Sequence, residues 1–487
     1  MKNRKSEQRN MLSKPITLCG CAASWSKRGS FRFALALVFC LTLMATGANA
    51  ADTILHNFAG TPDGAQGADS LVPDKYGNLY GTTMDGGTYG YGTVYVMCAP
   101  LPTTSLDVPP CTAGAASWTE FVLYSFKGVP GTDGSTPIGT LIFGGNYAGR
   151  AFTLYGTTYY GGVSTSGTVC GGNQGCGTVF ELCAPGSVGG CGGATWTETV
   201  LHAFTGLKDG AYPYAGVITD KANELYGTTV YGGALGTCLI GTANWYCGTA
   251  FVLKHNATFT TWTETIMHRF KGGADGANPY GALCCNSIFS IPYFYGTTLR
   301  GGVASGGGTG NAGVVFKLKN SPYTETILYD FCNLLGCPDG GNPYSNVVFD
   351  STAAGNLLGT TAYGGVYGHG TIFEMPGPLY LTESAPYSFC SVAFCADGAI
   401  PLAGLTLDSA NNVYGTTDLG GVGFGEVFAS SPPYAAVTTL WPFAGGFGDG
   451  ANPWGGVVFD PAISPSELYG ATTQDGLLSD GVVYSVP

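Results

Sequence analysis

The chain has 487 residues, with 80 Gly and 27 Pro, yet 45% of it is hydrophobic, 13% aromatic and only 10% charged, which excludes a disordered low-complexity chain. The formal charge is −12; eight of the 19 Lys and Arg precede residue 51 with a single acid, Glu7, so the remainder is more acidic still. Such a surface repels phosphate backbones, and no nucleic-acid partner is expected.

The first predicted element is a secretory signal peptide over residues 1–50. A basic stretch from Lys2 to Arg32 precedes the apolar run "FALALVFCLTLMA", which begins at Phe33, and the small residues Ala48 and Ala50 suit cleavage after Ala50. Thirteen apolar residues are too few for a bilayer core of about 30 Å. No later stretch is long and apolar enough, so the mature chain is expected to have no membrane span and to be secreted or extracellular. Periplasmic retention and full release stay open.

Beyond residue 51 the sequence repeats itself. "YGTT" or a close relative places a glycine at Gly81, Gly156, Gly227, Gly296, Gly359, Gly415 and Gly470, with spacings that shrink from 75 to 55 residues. A "GTVF"-like string follows each time, at Gly92, Gly177, Gly248, Gly313, Gly370, Gly425 and Gly481. A third run ends in Phe, at Phe58, Phe126, Phe204, Phe270, Phe331, Phe389 and Phe443, and an Asp-Gly pair follows it. A fourth apolar run, such as "AGVITD" from Ala215, leads into the next "YGTT". These runs are rich in Val, Ile, Tyr, Phe and Thr and are separated by Gly, Asp and Pro, so each repeat is read as four short strands. They are labelled A (apolar run), B ("YGTT"), C ("GTVF") and D (ending in Phe).

Seven four-stranded units predict an all-β, seven-bladed β-propeller over residues 51–487 as one domain. The mature chain starts with a D strand and ends with a C strand. The ring is therefore expected to close by residues 52–58 pairing with residues 481–486, which hides two strand edges. The "GTT" glycine and threonines are expected at a tight strand end and the Asp-Gly pairs in positive-φ turns.

The pattern "D..GNLYGTT..GG..G.GTV(F/Y)" followed by "W.E..L..F.G..DG..P" resembles the Gloeobacter and Verrucomicrobium tandem repeat, the GloVer repeat of secreted bacterial proteins. The resemblance covers nearly all of residues 51–487. It implies an extracellular or surface-attached protein without a defined biochemical role. Many relatives carry a C-terminal sorting or anchoring segment and this sequence ends at Pro487 with none, so release from the cell is the expectation.

Fourteen cysteines follow residue 50, an even number suited to an oxidising compartment. Twelve fall into close pairs expected as disulfides: Cys98 with Cys111, Cys170 with Cys176, Cys183 with Cys191, Cys238 with Cys247, Cys332 with Cys337, and Cys390 with Cys395. The adjacent Cys284 and Cys285 form a vicinal disulfide or stay reduced, and spacing does not decide. His56, His202 and His268 share one D-strand position with Tyr124, Tyr329, Tyr387 and Trp441, and are read as packing aromatics.

No HExxH, G-x-S-x-G or EF-hand string occurs, and the G-x-G-x-x-G at Gly308, Gly310 and Gly313 precedes a strand where a dinucleotide site needs a helix. No catalytic residue, cofactor or metal is assigned. The "YGTT" to "GTVF" glycine distance is enlarged to 21, 21 and 17 residues in blades two, three and four. These B-to-C loops carry Tyr159, Tyr160, Tyr231, Trp245, Tyr246 and Arg300. Tyr160, Tyr231, Trp245, Tyr246 and Arg300 are the expected ligand-binding residues, flat faces and a guanidinium fork for a glycan or an extracellular protein. Packing of the same loops onto neighbouring blades is the competing reading. A binding module is the first functional expectation, a carbohydrate-active hydrolase or lyase the second, and a passive surface or matrix protein the third. Off-pattern carboxylates meeting on the top face, the one that carries the D-to-A and B-to-C connections, would favour the second.

Overall fold

A computed structural model describes residues 53–100, 110–111, 116–128, 133–144, 152–162, 170, 174–186, 193–233, 238, 246–285, 293–446, 448–460 and 467–487. They form seven antiparallel blades arranged in a ring, with the order A-B-C-D across each blade. Blade 2 shows the plan, with A at Ile142–Phe143, B at Thr153–Thr158, C at Thr178–Cys183 and D at Thr197–Ala203. In blade 4 the A strand shrinks to a single bridge from Cys284 to Tyr295. Blade 7 joins the first and the last of the described strands. Its C strand, Val482–Val486, pairs with Thr53–Asn57, placing Thr53 opposite Ser485 and Asn57 opposite Val482.

The repeated strings encode the blade contacts. Each D-strand Phe is buried and meets edge-on the C-strand aromatic of the next blade, from Phe58 on Tyr95 at 5.2 Å to Phe443 on Tyr484 at 5.0 Å. That aromatic in turn lies across the "YGTT" glycine of its own blade. A Cβ at Gly156 would stand 2.5 Å from Phe180, and one at Gly227 2.7 Å from Phe251. These glycines are thus paired inside strand B, not at a tight strand end as the sequence suggested. Gly227→Ala is expected to cost about 1–3 kcal/mol by overpacking, read in a denaturant melt; an unchanged midpoint would contradict the contact.

The threonines serve the seams. The first one reaches into the next blade, as Thr157 Oγ1 donates to the Ala215 carbonyl at 3.0 Å and Thr228 Oγ1 to that of Gly281 at 3.0 Å. The second joins B to C, as in Thr158 with Thr178 at 2.8 Å. The "GTVF" glycine needs positive φ, +93° at Gly177, where a Cβ would strike the Thr158 carbonyl and Pro213. Of the Asp-Gly glycines only Gly210, Gly276, Gly340 and Gly398 have positive φ; Gly64, Gly134 and Gly450 are paired as short strands, so the turn reading holds for part of the set.

The aspartates of those pairs sit on the perimeter and clasp neighbouring blades. Tyr124 donates to Asp133 at 3.0 Å and Tyr329 to Asp339 at 2.9 Å, while Glu198 and Glu383 of the next D strands approach the same aspartates. The three D-strand histidines pack edge-on against Phe as expected, but they are also polar partners. His56 Nε2 lies 3.0 Å from Asp63, and His268 Nε2 lies 3.2 Å from both Asp275 and Glu325.

Five expected disulfides are present: Cys98–Cys111, Cys170–Cys176, Cys238–Cys247, Cys332–Cys337 and Cys390–Cys395. Cys183 is disulfide-bonded, and its expected partner Cys191 lies outside the described residues. Cys284 and Cys285 are thiols. Residues 1–50 also lie outside the described residues, and among those described no helix is long and apolar enough to cross a membrane.

Candidate functional site

After each Asp-Gly the chain passes a Pro, or Gly67 in blade 1, and turns toward the ring axis. The next residue occupies one repeat position in all seven blades: Ala68, Ile138, Tyr214, Tyr280, Tyr344, Leu402 and Trp454. With the A strands these residues line an axial cavity of about 530 Å³. Strand order explains the place, since A is the first strand of every blade sheet and these residues lead into it. Tyr214, Tyr280, Tyr344 and Trp454 are half-buried and so keep ring surface exposed.

The three tyrosines form a connected arc, and Trp454 lines the cavity beyond Leu402. Ring centroids of Tyr214 and Tyr280 are 4.9 Å apart, and those of Tyr280 and Tyr344 5.2 Å. Outward of them Tyr159 stacks on Tyr212 at 4.9 Å and meets Tyr214 edge-on at 6.1 Å. Tyr212 stands in the left-handed region at φ +59°, a position where Asn278, Asn342 and Asn452 bond back to the neighbouring blade. Gln66, Thr136 and Ile400 hold the same left-handed φ in other blades, so the conformation belongs to the repeat, and what distinguishes Tyr212 is its ring contact with Tyr159.

The loop residues expected from the sequence come to the edge of this arc. Tyr160 touches Tyr159 at 4.7 Å and Tyr212 at 5.5 Å, while Tyr231 meets Tyr212 at 5.9 Å and hydrogen-bonds Tyr280. Arg300 is exposed, its backbone is paired with Ala277, and its charge acts on the Tyr344 hydroxyl. Tyr246 is half-buried, next in sequence to Cys247 of the Cys238–Cys247 bridge, and among the described residues it has no ring contact with the arc. Trp245 lies outside the described residues.

Two carboxylates that sequence reasoning missed also line the cavity. Asp69 stands where the other blades have Gly139, Ala215, Gly281, Ser345, Ala403 and Gly455. Burial pushes its carboxyl up to about 6, against the pull of bonds from Ser70 and Thr140. Asp418 stands where they have Met84, Tyr159, Val230, Leu299, Ala362 and Thr473. Its Oδ1 accepts from Trp454 Nε1 at 3.0 Å and Asn452 Nδ2 at 3.2 Å, and burial raises its carboxyl as well. Aligning the repeats on their Pro and on "GTT" would have exposed both substitutions. The insertions in the B-to-C loops were the louder signal and drew the expectation outward.

The perimeter clasps of His56 with Asp63 and Glu120, His202 with Asp209 and Glu264, and His268 with Asp275 and Glu325 each bring an imidazole nitrogen and two carboxylates within 4.8 Å. Such a set has the chemistry to hold a divalent cation. Tyr124 and Tyr329 fill the same slot in blades 1 and 4 and make the same bond to Asp, so a blade clasp accounts for the geometry without one.

Residues 169–378 match the family described as the Gloeobacter/Verrucomicrobia repeat. No curated protein sequence matches the chain. Solved structures with a similar fold include a polysaccharide lyase, Uly1, at 12% identity, covering 91% of this chain and 93% of its own with a TM-score of 0.45. An ulvan lyase of family PL25 is similar at 8% identity over 87% of this chain and 94% of its own, with a TM-score of 0.43. An aldose sugar dehydrogenase from Streptomyces coelicolor is similar at 12% identity over 91% and 100%, with a TM-score of 0.38. At these identities and TM-scores the likenesses say nothing of activity.

Proposed function

Since residues 169–378 match the Gloeobacter/Verrucomicrobia repeat family, we propose that the repeat supplies the scaffold and that function resides in the residues departing from it, which make the axial mouth a glycan-binding site. The protein is exported by the signal at residues 1–50, and the propeller of residues 51–487 works as a single binding domain outside the cell. The observation that carries this reading is the half-buried arc of Tyr214, Tyr280 and Tyr344, with Trp454 beyond it, around a cavity large enough for a sugar unit. Aromatic faces stack on sugar rings at low entropy cost, and Tyr160, Tyr231 and Arg300 extend the surface for further units of a chain. Disulfides on the top-face loops suit an oxidising compartment.

Replacing Tyr160, Tyr231 and Trp245 together by Ala is expected to weaken retention on an immobilised cell-wall polysaccharide at least tenfold, about 1.4 kcal/mol, with the melting temperature nearly unchanged. Full retention by the triple variant, or loss of folding instead of binding, would confine the site to the axis.

A second reading, glycoside hydrolysis or lyase chemistry, is favoured by one observation. Two off-pattern carboxylates share the cavity, and Asp69 is held near 6, the range of a general acid. Asp69→Asn would then abolish release of reducing ends from a polysaccharide that the variant still binds. Absence of any such release by the unaltered protein would leave the binding reading alone.

A further inference from the structure

The sign of the charge in the axial cavity narrows the ligand. Among the described residues lining it are Asp69 and Asp418 and the rings of Tyr214, Tyr280, Tyr344 and Trp454, and no Lys, Arg or His. Both carboxylates replace uncharged residues of the repeat, so the blade does not require them. Neither is neutralised within the lining. Asp418 takes its two side-chain bonds on Oδ1 from uncharged donors, Trp454 and Asn452, and its Oδ2 accepts neither of them. Asp69 is bonded by Ser70 and Thr140, which are also uncharged. The guanidinium of Arg300 is exposed outside the lining and acts on Tyr344.

Half-buried carboxylates in a cavity without a cationic partner favour one. Aromatic faces add to the same preference, because the ring quadrupole attracts an ammonium group, most strongly where water is excluded. A uronate or sulfated sugar would meet two like charges at close quarters and be rejected. Resting on the axial binding reading, we infer that the sugar entering the cavity is an amino sugar with a free ammonium group, held between Asp69, Asp418 and the aromatic arc.

The test uses the mature chain and soluble oligomers in calorimetric titration at neutral pH. The probes are glucosamine oligomers, their N-acetylated counterparts and oligogalacturonate. Glucosamine oligomers are expected to bind at least about tenfold more tightly than the N-acetylated ones, with no binding of the uronate. Asp69→Asn and Asp418→Asn, each checked by its melting curve, are expected to remove that preference, and Tyr280→Ala to weaken both amino-sugar series alike. Equal affinity for the acetylated oligomers, or a preference untouched by both Asn variants and so due to the overall negative charge, overturns the inference. In either case loss on Tyr280→Ala would leave the glycan reading standing. Failure of all three probes and of neutral polysaccharides would overturn both.

Discussion

A chain lacking residues 51–58 is expected to lose cooperative folding. The strand Thr53–Asn57 supplies the D position of blade 7, and its removal strips the Val482–Val486 strand of its outer partner. It also removes Phe58, which is fully buried against Tyr95 of blade 1, and the half-buried Ile54 and Leu55, which pack onto the clusters on either side of blade 7. Large-to-small losses of this kind cost about 2–5 kcal/mol per side chain, so three together approach the 5–15 kcal/mol of a whole domain. The exposed C-strand edge then invites pairing between molecules. The milder Phe58→Ala is expected to cost about 3–5 kcal/mol while leaving the ring closed. Circular dichroism melts and light scattering read both. A soluble truncated chain with the parent's melting temperature would disprove the closure.

The protein is expected to melt at a higher temperature at pH 5.5 than at pH 8.5. Glu198 and Glu383 are pushed up to about 8, first by burial and then by the charges of Asp133 and Asp339. Oε1 of each is buried without a hydrogen-bond partner. A carboxyl raised in the folded state stabilises while protonated; that contribution is complete below the unfolded value near 4.5 and is lost as pH rises through about 8. Glu426, also pushed up to about 8 by burial, acts in the same direction. Asp397 and Asp408 are lowered, so their opposite contribution falls away only in acid, below this window. A shift of this size is worth a few kcal/mol per group, about 1.4 per unit before relaxation. Glu198→Gln with Glu383→Gln mimics the protonated form and is expected to flatten the profile, raising the melting temperature at pH 8.5 by several degrees. A parent profile that rises toward pH 8.5, or a double variant with the parent's slope, would contradict this.

The ring was legible in the sequence because every blade repeats its own contacts. The Phe58 and Tyr484 positions announce themselves seven times, and counting strands dictates how the ends meet. What stayed hidden depends on pieces distant in sequence. Gly156 reads as a turn residue until register sets Phe180 across it. Asp133 reads as half of a turn, because Glu198, the group that makes it a clasp, belongs to another blade. The disulfides were readable from close spacing, whereas the reduced state of Cys284 and Cys285 was not. Near the axial cavity, Tyr160 and Tyr231 were singled out through loop length, and their rings meet Tyr212 at the edge of the aromatic arc. Asp69 and Asp418 are visible as departures once the repeats are aligned, but spacing along the chain does not say that the two converge on one cavity.

The most direct test of the axial site is affinity retention on a panel of insoluble polysaccharides by four proteins: the parent, Tyr214→Ala with Tyr280→Ala, Trp454→Ala, and Tyr76→Ala as a control on the opposite, A-to-B turn face. The expected result is retention of the parent and the Tyr76 variant on at least one polymer, with loss of retention by both axial variants at unchanged melting temperature. Retention that survives both axial variants, or that is lost with Tyr76→Ala instead, would contradict the assignment of the site to the axial mouth.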